Sequence, residues 1–141
     1  MKFEFNDGGR IAAGYKGSAG DCVVQAVAIA TGLPYQEIYN RVNALSSRER
    51  VGMRKRGKSN ARTGVHKSAT RWLMESLRWK WTPTMQIGSG CTVHLRADEL
   101  PSGRLIVQVS KHLTAVIDGV IHDTHDCSRG GTRCVYGYWQ R

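Results

Sequence analysis

Gly20-Asp21-Cys22-Val23-Val24-Gln25-Ala26-Val27-Ala28-Ile29-Ala30-Thr31-Gly32 is the stretch around which the chain is organised. From Val23 to Ala30 every residue but Gln25 is apolar, so the stretch predicts a helix buried on all sides at the centre of a domain. Thr31-Gly32 supplies its stop, because glycine accepts the left-handed conformation that closes a helix. Asp21 is placed to cap the first turn by accepting a bond from a free backbone N–H. Cys22 then opens the helix, where the exposed N–H groups favour negative charge and hence a thiolate, against the opposing charge of Asp21. The plainer reading is that Cys22 is a small buried hydrophobe.

With 141 residues, the chain is long enough for one domain (1–141) with a core of its own. Its longest apolar run is too short for a membrane span, and Met1-Lys2-Phe3 does not lead into a signal-peptide core. The expectation is a cytoplasmic protein without a membrane partner. On that footing Cys22, Cys91, Cys127 and Cys134 are expected to be thiols rather than a disulfide framework. The net charge of +10 implies attraction to something acidic, with nucleic acid the usual candidate.

Outward from the central helix, Met1–Gly20 reads as a short strand carrying Phe3 and Phe5, then a glycine-rich loop. Leu33-Pro34 opens a second helix with Ile38, Val42 and Leu45 on one stripe. Arg48–Arg62 is a basic run punctuated by Gly52 and Gly57, expected as an exposed loop, either a solvated connector or a polyanion contact. Arg54, Lys55, Arg56, Lys58 and Arg62 are its candidate nucleic-acid-binding residues. A third helix from Thr63-Gly64 carries Val65, Ala69, Trp72, Leu73 and Leu77. Trp79 and Trp81 are read as packing residues, and Pro83 as the end of regular pairing.

Beyond Pro83 the period changes to two. Cys91–Leu95 is a weak strand, Arg104–Ser110 and His112–Ile117 are strong ones, Val120–Thr124 returns, and Val135–Trp139 is the last. Helices followed by an antiparallel sheet make the class α+β. Asp118-Gly119 predicts a two-residue hairpin turn, and that turn sets the register. Ile117 then pairs with Val120, Thr114 with Asp123 and His112 with His125. His112 and Asp123 share a face as diagonal neighbours within about 8 Å. Asp118 lies at the turn, roughly 20 Å away, and His122 points to the other face.

A nucleophilic thiol needs a base, and the base needs a group that orients it. Cys22, His112 and Asp123 supply those roles in that order. The layout resembles a papain-like cysteine peptidase, especially the compact bacteriocin-processing peptidases of export transporters. In that family an Asp-Cys pair opens the central helix, matched by Asp21-Cys22. A His begins a core strand after a glycine and an apolar run, matched by Gly103 to His112, and Asp123 stands where the family has an acid on the next strand. The stretch from Thr63 onward is similar to small proteins of tailed bacteriophages, whose setting is the host cytoplasm.

The resemblance implies a papain-like fold, a peptide or protein substrate, no cofactor, and an oxyanion site that includes the Cys22 backbone. The family's oxyanion glutamine, six residues before the Cys, is here Lys16, whose flexible ammonium is a less preorganised donor. The alternative is a catalytically weak fold of this type that binds nucleic acid or protein through its basic surface. A third reading takes His122, His125, Cys127 and Cys134 as zinc ligands. Their spacing is unlike paired-ligand knuckles, so the expectation is no metal, with Cys127 and Cys134 as ordinary thiols flanking a loop. His66 and His94 are read as surface or partly buried histidines.

Overall fold

The structure, a computed structural model, describes residues 1–16, 20–49, 58–62 and 64–141. Among these residues it has helices α1 (Cys22–Thr31), α2 (Tyr35–Ser46) and α3 (Lys67–Ser76) and strands β1 (Lys2–Phe5), β2 (Lys80–Pro83), β3 (Arg104–Val109), β4 (His112–Ile117), β5 (Val120–Asp123) and β6 (Gly137–Gln140). The strands form one sheet in the order β1-β5-β4-β3-β6-β2, so the class is α+β. No helix among the described residues is long and apolar enough to cross a membrane.

All residues from Val23 to Ala30 are buried, Gln25 included. The helix closes at Gly32, whose φ of 75° is left-handed and whose N–H donates to Ala28 O at 2.9 Å. Asp21 does not cap α1 with its side chain, contrary to the sequence expectation. Its carboxylate instead accepts from Gln25 Nε2 at 3.0 Å and Tyr35 Oη at 2.5 Å, and pairs with Arg10 Nε at 3.1 Å. Those three partners outcompete a single backbone N–H. They also explain how a glutamine fits in an apolar helix.

Helix α1 lies across β4 and β3, burying Ile106, Leu113 and Ala115 beneath it. The opposite face of the same strands, Leu105, Val107, Val109 and Val116, is covered by Leu95, Leu100, Cys127 and Val135 from irregular segments. Cover on both faces is why β3 and β4 read as nearly continuous apolar runs.

The hairpin register is as expected, with Ile117 opposite Val120. Asp118 (φ 48°) and Gly119 (φ 79°) are both left-handed, as the tight turn between twisted strands requires. Asp118 Oδ1 accepts from Gly103 N at 2.8 Å, well away from the His112 end.

Several expectations are corrected by contacts between distant segments. The sheet is mixed rather than wholly antiparallel, because β1 pairs parallel to β5. The chain passes through three helices between those strands, ample length for a parallel return. Regular pairing does end at Pro83, which is itself the last paired residue of β2, opposite Gly137. β2 is an edge strand, where a proline's missing N–H costs no ladder bond. Cys91–Leu95 forms only an isolated bridge between His94 and Cys134.

Cys134 is also joined to Cys91 in a disulfide with a Cα–Cα distance of 5.8 Å. The expectation of four thiols thus holds only for Cys22 and Cys127. The basic run is not wholly exposed either. At its ends Glu49, Ser59 and Ala61 are buried, and Glu49 accepts from the Ser59 backbone and hydroxyl at 2.5 and 2.7 Å.

Gly137 carries a sharp steric constraint. A Cβ there would lie 2.3 Å from the Trp81 ring and 2.8 Å from Thr82 O. Trp81 in turn packs on Trp139 with ring centroids 5.3 Å apart, so the ring has little room to yield. Gly137→Ala is expected to destabilise by about 1–3 kcal/mol through overpacking, read as a lowered denaturation midpoint. An unchanged midpoint would show that β2 peels away freely.

Candidate active site

Cys22, the first residue of α1, and His112, the first residue of β4, line one open groove with a volume of about 550 Å³. Gly20, Lys67, Lys111 and Tyr136 also line it. The helix start and the strand start meet because α1 packs lengthwise on β4.

The backbone at His112 is held by its own hairpin. Val109 pairs with His112 around Ser110-Lys111, and Lys111 takes a left-handed φ of 57°. Gln108 Nε2 donates to Val109 O at 2.7 Å and His112 O at 3.0 Å, and Arg133 donates to Ser110 O. His112 is therefore presented by a turn tied at three points.

His112 Nε2 contacts Asp123 Oδ2 at 2.7 Å. The same oxygen accepts from Thr114 Oγ1 at 2.7 Å, and Oδ1 accepts from Thr124 N at 2.6 Å. Asp123 is buried and also accepts from Thr114 and Thr124, so its orientation is fixed. With Nε2 held, Nδ1 is the ring nitrogen left to address a thiol. The Cys22 thiol lines the same groove as the ring, and Cys127 Sγ lies 3.8 Å from the Asp123 oxygen that holds the ring.

Burial opposes the charged form of His112. The hydrogen bonds to Asp123, Cys127 and Cys22 and the carboxylate's charge outweigh it, and its pKa is pushed from 6.5 up to about 11. Burial likewise raises Asp123, but the bonds from His112 and Thr114 hold it below its ordinary value. Both directions describe one imidazolium–carboxylate pair at neutral pH. An imidazolium beside a thiol is the charge that favours a thiolate.

The structure therefore brings together Cys22, His112 and Asp123. The Cys22 N–H belongs to the first turn of α1, where no intrahelical acceptor exists. Lys16 is exposed, and its carbonyl oxygen accepts from Arg10 Nη2 at 3.2 Å and Arg62 Nη2 at 2.8 Å. Arg62, expected as a nucleic-acid contact, thus braces the segment leading to α1. Lys58 is exposed, while Arg54, Lys55 and Arg56 lie outside the described residues.

The His122, His125, Cys127, Cys134 set does not converge. Cys134 is in the disulfide, and His122 lines a small enclosed space against Gln25 and Ala26 of α1. His125 is on the far side, 3.9 Å from Asp123 Oδ1. His94 pairs with Glu99 at 3.3 Å, and His66 is partly buried.

Sequence reasoning missed three participants. Thr114 was legible as the residue opposite Asp123 in the hairpin register. Lys111 adjoins His112 at the turn. Cys127 had no signal, since only the fold of the segment after β5 returns it beneath Asp123.

The chain matches no family model, no curated protein and no solved structure.

Proposed function

We propose that the protein is a papain-like thiol hydrolase, a cysteine peptidase or related acyl-transfer enzyme acting on a peptide or protein substrate. The observation that carries this reading is that His112 shares a groove open to solvent with Cys22 while its ring lies 2.7 Å from the Asp123 carboxylate. In this reading the Cys22 thiolate attacks the substrate carbonyl carbon, and the carbonyl electron pair moves onto oxygen. The resulting oxyanion accepts from the Cys22 N–H and from the Lys16 ammonium, which replaces the family's glutamine. Collapse breaks the scissile bond, and the leaving amine takes the proton from His112. Water, deprotonated by His112, then cleaves the thioester and restores the thiol.

The net charge of +10 supports the second reading, a catalytically weak fold of this type that binds nucleic acid or protein. The two separate on one experiment. With p-nitrophenyl acetate, a thiol hydrolase is expected to release nitrophenol in a burst of one per chain, with the acetyl group on the Cys22 peptide. Acetylation spread over lysines, with Cys22 unmodified, would sink the enzyme reading and leave the binding one.

A further inference from the structure

A His112 ring nitrogen, an Asp123 carboxylate oxygen and a His125 ring nitrogen all lie within 4.8 Å of one another. His112 Nε2 lies 2.7 Å from Asp123 Oδ2, His125 Nδ1 lies 3.9 Å from the other carboxylate oxygen, Oδ1, and the centroids of the two imidazole rings are 5.1 Å apart. A tetrahedral zinc with bonds of about 2.0–2.1 Å places its donors roughly 3.3 Å apart. The two nitrogen–oxygen distances, each to its own carboxylate oxygen, straddle that value. The side chain that has to move most, His125, is 60% exposed and so is free to swing. Cys127 Sγ lies 3.8 Å from Asp123 Oδ2 on the buried side and offers a further donor, of a softness that suits zinc. Nothing in the proposed reaction uses His125, yet it points at the carboxylate that orients His112.

We propose that His112, Asp123 and His125 form an inhibitory zinc site, at which one bound ion silences Cys22. Zinc on Nε2 displaces the proton that Asp123 holds there and occupies that nitrogen's lone pair. The ring then carries a proton on Nδ1 and has no lone pair left to accept the one from Cys22. His112 cannot be both a zinc ligand and a base. The silencing rests on the thiol-hydrolase reading above, but the metal site does not. Its donor set is independent of Cys22.

The test uses the full chain, stripped with a chelator and kept free of thiol reductants so that Cys91–Cys134 stays intact, then titrated with zinc chloride. Native mass spectrometry reads stoichiometry, competition with a chromophoric zinc indicator reads affinity, and iodoacetamide reads the rate at Cys22. One zinc per chain is expected on the wild type and, with equal affinity, on Cys22→Ser. His125→Ala should weaken binding by about 10-fold or more, since even the loss of an outer-sphere partner has effects of that size. Zinc should suppress Cys22 alkylation in the wild type and not in His125→Ala at the same concentration. Metal-free His125→Ala should alkylate at the wild-type rate. No bound zinc, wild-type affinity in His125→Ala, or loss of binding in Cys22→Ser (a Cys22–His112 chelate) would each overturn the proposal. Slow alkylation of Cys22 in the metal-free wild type would instead count against the hydrolase reading, with zinc stoichiometry still deciding the site.

Discussion

His112→Ala is expected to remove the selective reactivity of Cys22 and lower any acyl transfer by about 10²–10⁴, the usual contribution of a positioned base. Among described residues Cys22 and Cys127 are the free thiols, and Cys127 is buried. In the wild type, iodoacetamide at low excess should therefore mark Cys22 first. The selectivity comes from the imidazolium as well as from exposure, so removing His112 should slow Cys22 itself. Asp123→Ala should weaken the effect less, because it leaves the ring in place without its orienter. Asp118→Ala should change nothing, since Asp118 binds Gly103 at the other end of the hairpin.

The pH profile follows from the same pair. A group raised from 6.5 to about 11 contributes stability that is fully present below 6.5 and is lost as pH rises through about 11. Asp123, held below its ordinary value, contributes stability present above the ordinary carboxylate range and lost as pH falls through its lowered value. The pair, and the preference for Cys22, should thus persist from mildly acidic to mildly alkaline pH. Equal alkylation of Cys22 in wild type and His112→Ala across that window would remove the base from the mechanism.

Asp21→Ala is expected to be the most destabilising single change among the residues around α1. The Asp21 carboxylate is 3% exposed and the Arg10 side chain 13% exposed, so the ion pair between them is inside the protein. Alanine would deprive the Arg10 guanidinium of its carboxylate and leave the Gln25 amide and Tyr35 hydroxyl short of a partner. Removing one member of a buried pair costs about 3–5 kcal/mol. At roughly 2–4 °C per kcal/mol for a domain near this size, the melting temperature should fall by about 6–20 °C. Tyr35 reports the same network: burial, then the bond to Asp21, pushes its hydroxyl well above its ordinary pKa. Asp21→Asn keeps an acceptor for Tyr35 and should fall between alanine and wild type. A loss below about 1 kcal/mol for Asp21→Ala, measured by urea denaturation, would show that water replaces the carboxylate and that the site is open. Because Asp21 precedes Cys22, its loss should also loosen the thiol's placement.

Much of the site was legible because it is built on local periods. A strand alternates faces every residue, and a two-residue turn fixes which residues stand opposite. Asp118-Gly119 alone therefore put His112 and Asp123 within reach, and the structure places them 2.7 Å apart. The same turn excluded Asp118 and assigned Thr114 its place opposite Asp123. The basic run was legible only as charge. Its ends are held by Glu49, Ser59 and Arg62, whose partners lie 10 to 46 residues away in sequence.

By itself, then, the sequence determined a central helix apolar but for Gln25, a hairpin with one register, and a His–Asp pair on one face of the sheet, because each depends on neighbours within a few residues. The tertiary structure alone decided the rest: that β1 runs parallel to β5, that Cys91 meets Cys134, that Asp21 turns inward to Arg10 and Tyr35, and that Cys127 and His125 gather at Asp123. The physical reason is that a local period specifies which face a residue occupies and nothing about which distant segment will cover that face. That choice is made when the chain buries its apolar surface as a whole.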